Sequence, residues 1–398
     1  MSDPAQRANK LFIQTFGTKA DGLYLAPGRI NIMGENAHFN EGFVLSSAIN
    51  FHTVIAVKRR NDQQFRAVSD AFPGHIQEWR FGKEDCMIPA DPKAWVNYLK
   101  GFSASMAATG LPATGMDLSI VSSVPLGAGL SSSGALEIAF GTAVNDINQL
   151  HLSPLAIAQI AQRGENQYAG YHCGIVDQMI SAMGQQDKAL LIDCFDLDSE
   201  AITIPQSLSL LIVNSNVQRQ ALEPQYQLRA LQCQQVASHF KLDALSHLTL
   251  KKLESGKDTL DEVLYRRAKH IVTENRRTQQ AAWALEAGNI KKLSQLMAQS
   301  HASMRDDFEI TVPAIDYLVK IIADVIGEKG GVRMASTGFG GCVVALVDHH
   351  YTDTVIRAIE NQYFSHTQLE ANIYLCSASD GAKRLESTLS PLNQKKQH

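Results

Sequence analysis

The sequence has no excess of positive charge, no long apolar run and no paired cysteines, and each absence removes a class of function. Lysine and arginine together number 36 against 40 aspartates and glutamates, a net charge of −4. There is thus no basic footprint for nucleic acid. No apolar run approaches the roughly 20 residues that cross a bilayer. The polar, mixed stretch Met1–Lys19 does not resemble a signal peptide. The six cysteines (Cys86, Cys173, Cys194, Cys233, Cys342, Cys376) are scattered, with no Cys-x-x-Cys pair. That argues against a zinc site and for reduced thiols in a cytoplasmic protein. Familiar phosphate-binding signatures are missing too. No glycine-rich run ends in Gly-Lys-Ser/Thr, since Gly256-Lys257 is followed by Asp258. Neither His-Arg-Asp nor Asp-Phe-Gly occurs. No repeat recurs at a period of about 20–50 residues.

What is present is an ordinary globular composition over 398 residues, enough for two domains with separate cores. A boundary near 195–205 divides the chain into 1–200 and 201–398, each expected to mix helix and strand. In the first half, Leu23–Ala26 leads into a Pro27-Gly28 turn, and Thr53–Val57 and Met116–Val121 read as strands. Ser132 to about Leu150 reads as a helix. Pro154 opens another that carries Glu165 and Asn166, and a third has Asp177 in its first turn. In the second half, Leu208–Asn214 and Asn372–Cys376 read as strands. Glu223 to about Phe240, Val263–Gln299 and Pro313–Ile326 have helical spacing. The tail after about Ser387 is polar.

The most informative segment is Pro125–Glu137, Pro-Leu-Gly-Ala-Gly-Leu-Ser-Ser-Ser-Gly-Ala-Leu-Glu. A glycine-rich turn that feeds a helix N-terminus offers backbone N–H groups and a favourable dipole to an anion. Ser131, Ser132 and Ser133 add hydroxyls for phosphate oxygens or a phosphate-bound metal. Two further glycine segments, Pro27-Gly28-Arg29 and Thr337–Cys342, lie on either side. Phosphoryl transfer needs a phosphate cradle, a divalent cation, a positive charge and a group that orients the nucleophile. The chain offers a candidate for each. Every candidate also has a plain structural reading. The glycine loops could be strand-to-helix or tight turns. Asp177 could stabilise its own helix N-terminus, Glu165 could be a solvated helix acid, and Arg29 could pair with a surface carboxylate.

Taken in order, these segments resemble the galactokinase branch of the GHMP small-molecule kinases, essentially from end to end. Gly28–Glu35 is similar to the first family motif and Pro125–Glu137 to the second, the ATP-phosphate loop. Gly174–Gln178 is similar to the segment that carries the catalytic aspartate, and Gly338–Cys342 to the end of the third motif. The resemblance implies a two-domain α+β GHMP kinase fold. Its N-terminal domain would be like ribosomal protein S5, its C-terminal domain ferredoxin-like, and its active site would lie in the cleft between them. It implies ATP as phosphoryl donor and the anomeric hydroxyl of galactose as acceptor, with neither nucleic acid nor membrane as partner and a monomer or weak homo-oligomer as the working form. Asp177 would be the base that orients this hydroxyl. Arg29 would stabilise transition-state charge and favour the ionised aspartate. Gly127, Ala128, Gly129, Leu130, Ser131, Ser132 and Ser133 would wrap the ATP phosphates, and Ser133 and Glu165 would hold Mg²⁺. Glu35, Asn36, Ala37, His38 and Tyr226 would line the sugar pocket. Trp95 would lie near the adenine or, equally well, in the core.

The chain departs from the family where the sugar should bind. The family's Gly-Glu-His-Thr-Asp-Tyr reads Gly34-Glu35-Asn36-Ala37-His38-Phe39 here. An acceptor-only aspartate is exchanged for an imidazole, and each badly paired sugar hydroxyl would cost about 1–3 kcal/mol. Ahead of the third motif, Ala335-Ser336-Thr337 replaces Thr-Gly-Gly, which should restrict the backbone. Three readings follow: a galactokinase with a remodelled pocket, a kinase for another or modified sugar, and a galactokinase-like sugar sensor.

Overall fold

The computed structural model describes residues 3–74, 76–82, 94–169, 173–218, 222–335 and 338–386. Its first sheet is built from β1 (Gly22–Met33), β2 (Phe43–Arg59), β3 (Gln64–Ser69), β4 (Gln77–Arg80), β5 (Met116–Ser122), β6 (Lys188–Asp193) and β7 (Ser199–Thr203). The order runs β1-β2-β5-β3-β4. β2 is long enough to pair with β5 along its second half and with β6 along its first, and β7 adds to β6. The second sheet contains β8 (Leu208–Asn214), β9 (Gly330–Ala335), β10 (Cys342–Asp348) and β11 (Asn372–Cys376), in the order β11-β8-β10-β9. This is the split β-α-β arrangement of a ferredoxin-like unit. A last short strand, β12 (Lys383–Leu385), returns to pair with β1, a return absent from the sequence reading.

Side chains alternate between the faces of the second sheet, as strand geometry demands, and this alternation joins the two halves. Leu211, Val213, Val343 and Ala345 face a core made with helices 265–272 and 315–326. Their neighbours Leu210, Ile212, Val344 and Leu346 face the other way. They share a core with Ile30, Ile32, Leu45 and Leu191 of the first half. A further core lies between the first sheet and helices Val96–Ala108, Ser132–Ile147, Pro154–Gly164 and Val176–Met183.

Two expectations change. Pro27-Gly28 is not a turn: β1 runs through it to Met33, with a register shift between Pro27 and Arg29. A bulge accommodates a residue that has no N–H to give the ladder, and it re-aims the next side chain, Arg29. The helical stretch Val263–Gln299 is two helices, Glu262–Glu286 and Ile290–Asp306. They are parted where Gly288 takes φ +64°, the left-handed backbone that ends helices.

Candidate functional site

Arg29 and Asp177 meet at the centre of the site. Arg29 Nε donates to Asp177 Oδ1 at 2.7 Å and Nη2 to Oδ2 at 2.6 Å. This two-pronged pairing fixes the carboxylate plane. The third guanidinium nitrogen, Nη1, donates to the Gly129 carbonyl at 2.7 Å, and the Arg29 backbone N–H donates to the Leu130 carbonyl at 3.1 Å. The arginine is thereby fastened to the glycine-serine loop. Gly28 permits the approach, because a Cβ there would lie 2.6 Å from the Leu130 oxygen.

The loop itself is held by its apolar residues. Ala128 and Leu130 are buried while Gly127 and Gly129 are exposed, so the core anchors every second residue and turns the glycines outward. Gly127, Gly129 and Ser131 take φ of +72°, +77° and +59°. Ser131 begins helix Ser132–Ile147 without a side-chain cap, and its buried Oγ has no partner. Free amides at a helix start next to outward-turned glycines form an anion cradle. The same helix start touches the aspartate, since a Cβ on Gly134 would lie 3.6 Å from Asp177 Cβ.

Behind the loop stands a buried polar group. Glu165 opens a wider, π-type turn that extends helix Pro154–Gly164, a local irregularity common at functional sites. Its carboxylate accepts hydrogen bonds from Gln178 Nε2 at 2.7 Å and from Cys173 at 3.3 Å, and also from Ser133. Glu137 is fully buried beside it, with Oε1 unpartnered. Burial first, then the charge of Glu165, pushes the Glu137 carboxyl well above the usual range. Burial and the charge of Asp177 also raise Glu165. Two crowded carboxyl groups, a serine hydroxyl and an orphaned oxygen fit the oxygen-rich donor set of a hard divalent cation.

On the opposite side lies the segment with the altered sugar motif. His38 Nε2 is 3.2 Å from the Tyr226 hydroxyl. Its ring packs so closely on the turn before Asp177 that a Cβ on Gly174 would lie 2.7 Å from His38 Cδ2. Burial pushes the His38 imidazole down, while the charges of Glu35 and Asp177 pull it up. Phe39 stands edge-on to the Tyr226 ring, with centroids 5.5 Å apart. Asn36 takes φ +62° and leaves its buried Nδ2 unpartnered. Glu35 has an occupied oxygen, as Arg333 Nη2 donates to its Oε2 at 3.2 Å. Ala37 is fully buried, with its methyl against Gly42.

The third glycine motif closes the donor side. Gly338, Phe339, Gly340 and Gly341 all take positive φ, and the Cys342 thiol donates to the Ala128 carbonyl at 2.9 Å. Ser336 and Thr337, expected to stiffen this segment, lie outside the described residues. Trp95, half-buried at the start of helix Val96–Ala108, stacks on Phe72. Sequence reasoning missed Glu137 and Gln178, which stand beside Glu165; Glu274 and Asn275, whose side chains accept from the Gly34 and Phe43 N–H groups; and Arg333 on Glu35. Glu137 had a usable signal, one helical turn after Ser133. Glu274 and Asn275 are far from the motifs in sequence, and Arg333, although just ahead of the third motif, is a single arginine in an apolar strand; nothing in their spacing points to them.

Two family models match within the two halves: the GHMP kinases N terminal domain matches residues 97–185, and the GHMP kinases C terminal matches 281–366. The galactokinase galactose-binding signature matches residues 10–59. Galactokinase from Lactococcus lactis, solved in complex with galactose, is 30% identical with a TM-score of 0.90, over 96% of this chain and 99% of that one. Methanococcus jannaschii mevalonate kinase (17% identity, TM-score 0.61, covering 90% and 98%) and Cytophaga hutchinsonii homoserine kinase (15%, 0.58, 92% and 97%) share the fold.

Proposed function

We infer the roles of individual residues from one premise: the chain belongs to the galactokinases of the GHMP kinase family. It is an ATP-dependent sugar kinase with galactose as acceptor. The kinase for a different sugar and the sugar sensor are not favoured. Among the described residues no helix is long and apolar enough to cross a membrane. A cytoplasmic location is our reading, supported by described cysteines that form no disulfide with one another and by the need for ATP.

Asp177 orients the anomeric hydroxyl of galactose and takes its proton as the oxygen attacks the γ-phosphorus. Both carboxylate oxygens already accept from Arg29, and each keeps a second lone pair for the sugar. Arg29 holds that carboxylate toward the acceptor and supplies positive charge beside the glycine loop, where charge develops on the transferring group. The N–H groups of 127–133 and the uncapped helix start hold the ATP phosphates. Ser133 and Glu165 would hold Mg²⁺, with Glu137 and Gln178 fixing the Glu165 carboxylate. When bound, the cation neutralises phosphate charge. Glu35, Asn36, His38 and Tyr226 present the acceptor. Ala37 serves through its backbone and its tight packing.

The arginine–aspartate pair carries this reading, set between the glycine loop and the sugar motif and bonded to the loop. Purified protein with ATP, Mg²⁺ and galactose should release ADP and yield a sugar phosphorylated at its anomeric oxygen, which a ³¹P–¹H coupling identifies. Turnover of other sugars but not galactose would overturn it.

A further inference from the structure

The sugar-motif segment, residues 34–43, is gripped at both ends by two consecutive residues of one helix from the other half of the molecule. The Gly34 N–H donates to Glu274 Oε1 at 3.2 Å, and the Phe43 N–H donates to Asn275 Oδ1 at 2.7 Å. Neighbouring side chains on a helix diverge by about 100°. A Glu-Asn pair is therefore suited to reach two separated points and unsuited to grip one. Between these ends the segment makes its own turns, from Ala37 N to Gly34 O and from Asn40 N and Gly42 N to Ala37 O, and it is also touched by Arg333 on Glu35, by Tyr226 beside His38 and by the Cys194 N–H on the Gly42 carbonyl. It also carries unfavourable φ values at Asn36 and Glu41. A segment strained in this way depends on how its ends are tied. Glu274 is itself fixed, fully buried and hydrogen-bonded to Ser300 and Arg277.

We propose that Asn275 and Glu274 are positioning residues for the acceptor sugar. They set where residues 34–43 present Asn36 and His38, and so govern galactose affinity and leave the phosphoryl-transfer step alone. The proposal rests on the reading that this segment forms the acceptor pocket. Neither residue touches the glycine loop, Arg29 or Asp177 through any hydrogen bond described above.

The test is steady-state kinetics of Asn275→Ala, Asn275→Asp, Asn275→Leu and His38→Ala, varying galactose and ATP separately. Asn275→Ala should raise the galactose KM about tenfold, the scale of one lost hydrogen bond, with kcat and the ATP KM within about twofold. Asn275→Asp keeps both the shape and an acceptor for the Phe43 N–H and should restore most of the affinity, whereas Asn275→Leu keeps a similar shape without the acceptor and should not, an outcome that loss of packing alone does not give. A galactose KM unchanged in Asn275→Ala, both KM values raised alike, or no recovery in Asn275→Asp would each overturn the proposal. If His38→Ala also leaves the galactose KM unchanged, the pocket reading falls with it; if His38→Ala raises it, only the clamp falls.

Discussion

The donor and acceptor sides of this site are built in opposite ways. On the donor side, the glycine loop, Arg29 and Asp177 belong to one half of the chain and are held mostly by neighbours along a helix start and a bulged strand, with Cys342 of the other half also donating to the Ala128 carbonyl. On the acceptor side, residues 34–43 contribute the side chains, but their position is set by Glu274, Asn275 and Arg333. Arg333 is fully buried and donates to the Ile32 carbonyl at 3.0 Å as well as to Glu35. A side built from its own backbone can be copied as a short motif. A side held from a distance can change its motif residues and still keep its frame. The pattern in the sequence agrees in part: Pro125–Glu137, Arg29 and Asp177 are intact and residues 36–39 are altered, but Ala335-Ser336-Thr337 ahead of the third motif is altered too.

The largest effect expected is loss of Asp177. Asp177→Ala should lower kcat by about 10²–10⁴-fold, the range of a positioned proton acceptor. ATP affinity, measured by nucleotide binding without sugar, should change little, because in the proposed arrangement the loop amides and not the carboxylate hold the phosphates. A large drop in ATP affinity in this variant would break the division between the two sides.

How far the sequence could be read follows the same division. That Pro125–Glu137, Asp177 and Arg29 belong to one site was legible, and the structure brings them together; a glycine loop at a helix start is a local arrangement of backbone, and its requirements for glycine and hydroxyl residues appear in consecutive positions. The strand read over Met116–Val121 was legible from its alternation of apolar and polar residues, and Leu208–Asn214 as a short, mostly apolar run. β3, β4 and β9 were not, because their pairing depends on partners elsewhere in the sheet. Pro27-Gly28 was read as a turn, since a bulge and a turn have the same composition. Arg333 gives no sequence signal at all. A lone arginine in an apolar strand becomes meaningful only when Glu35 and the Ile32 carbonyl are found beside it.

Acid should separate the two sides next. His270, fully buried beneath the acceptor segment, is held down to about 4, by burial first and by the charge of Arg277, against the pull of Glu274 and Asp307. In the unfolded chain its imidazole takes up a proton near 6.5. Stability from this group is therefore lost as pH falls from 6.5 toward 4, by on the order of 3 kcal/mol. Burial would raise Glu274, but Arg277, Arg333 and His270 bring it down to about 2. Its contribution is lost as pH falls below 4.5. Glu137 on the donor side has the opposite sign. Its raised carboxyl keeps a proton in the folded state that the unfolded chain gives up, so its contribution is lost as pH rises. Denaturant unfolding across pH 4–8 should show the acid loss in the wild type and a shallower one in His270→Gln. A flat wild-type profile between 6.5 and 4 would sink the assignment.

The smallest effects come from two glycines of the donor side, and they differ for a physical reason. Gly28→Ala places a methyl 2.6 Å from the Leu130 carbonyl oxygen, a backbone atom that cannot swing away. That oxygen accepts the Arg29 N–H, so the substitution must displace either the strand or the loop, and it should lower both stability and kcat. Gly127→Ala meets nothing within 4 Å, but its φ of +72° is costly for any residue with a Cβ. The cost is about 1 kcal/mol. It falls on the loop alone, which can relax toward negative φ at the expense of its outward amides. Gly127→Ala should therefore raise the ATP KM about fivefold and leave the galactose KM and the melting temperature nearly unchanged. A shift in the galactose KM of the same size would mean that the donor loop helps set the acceptor pocket, and that the two sides are not built independently.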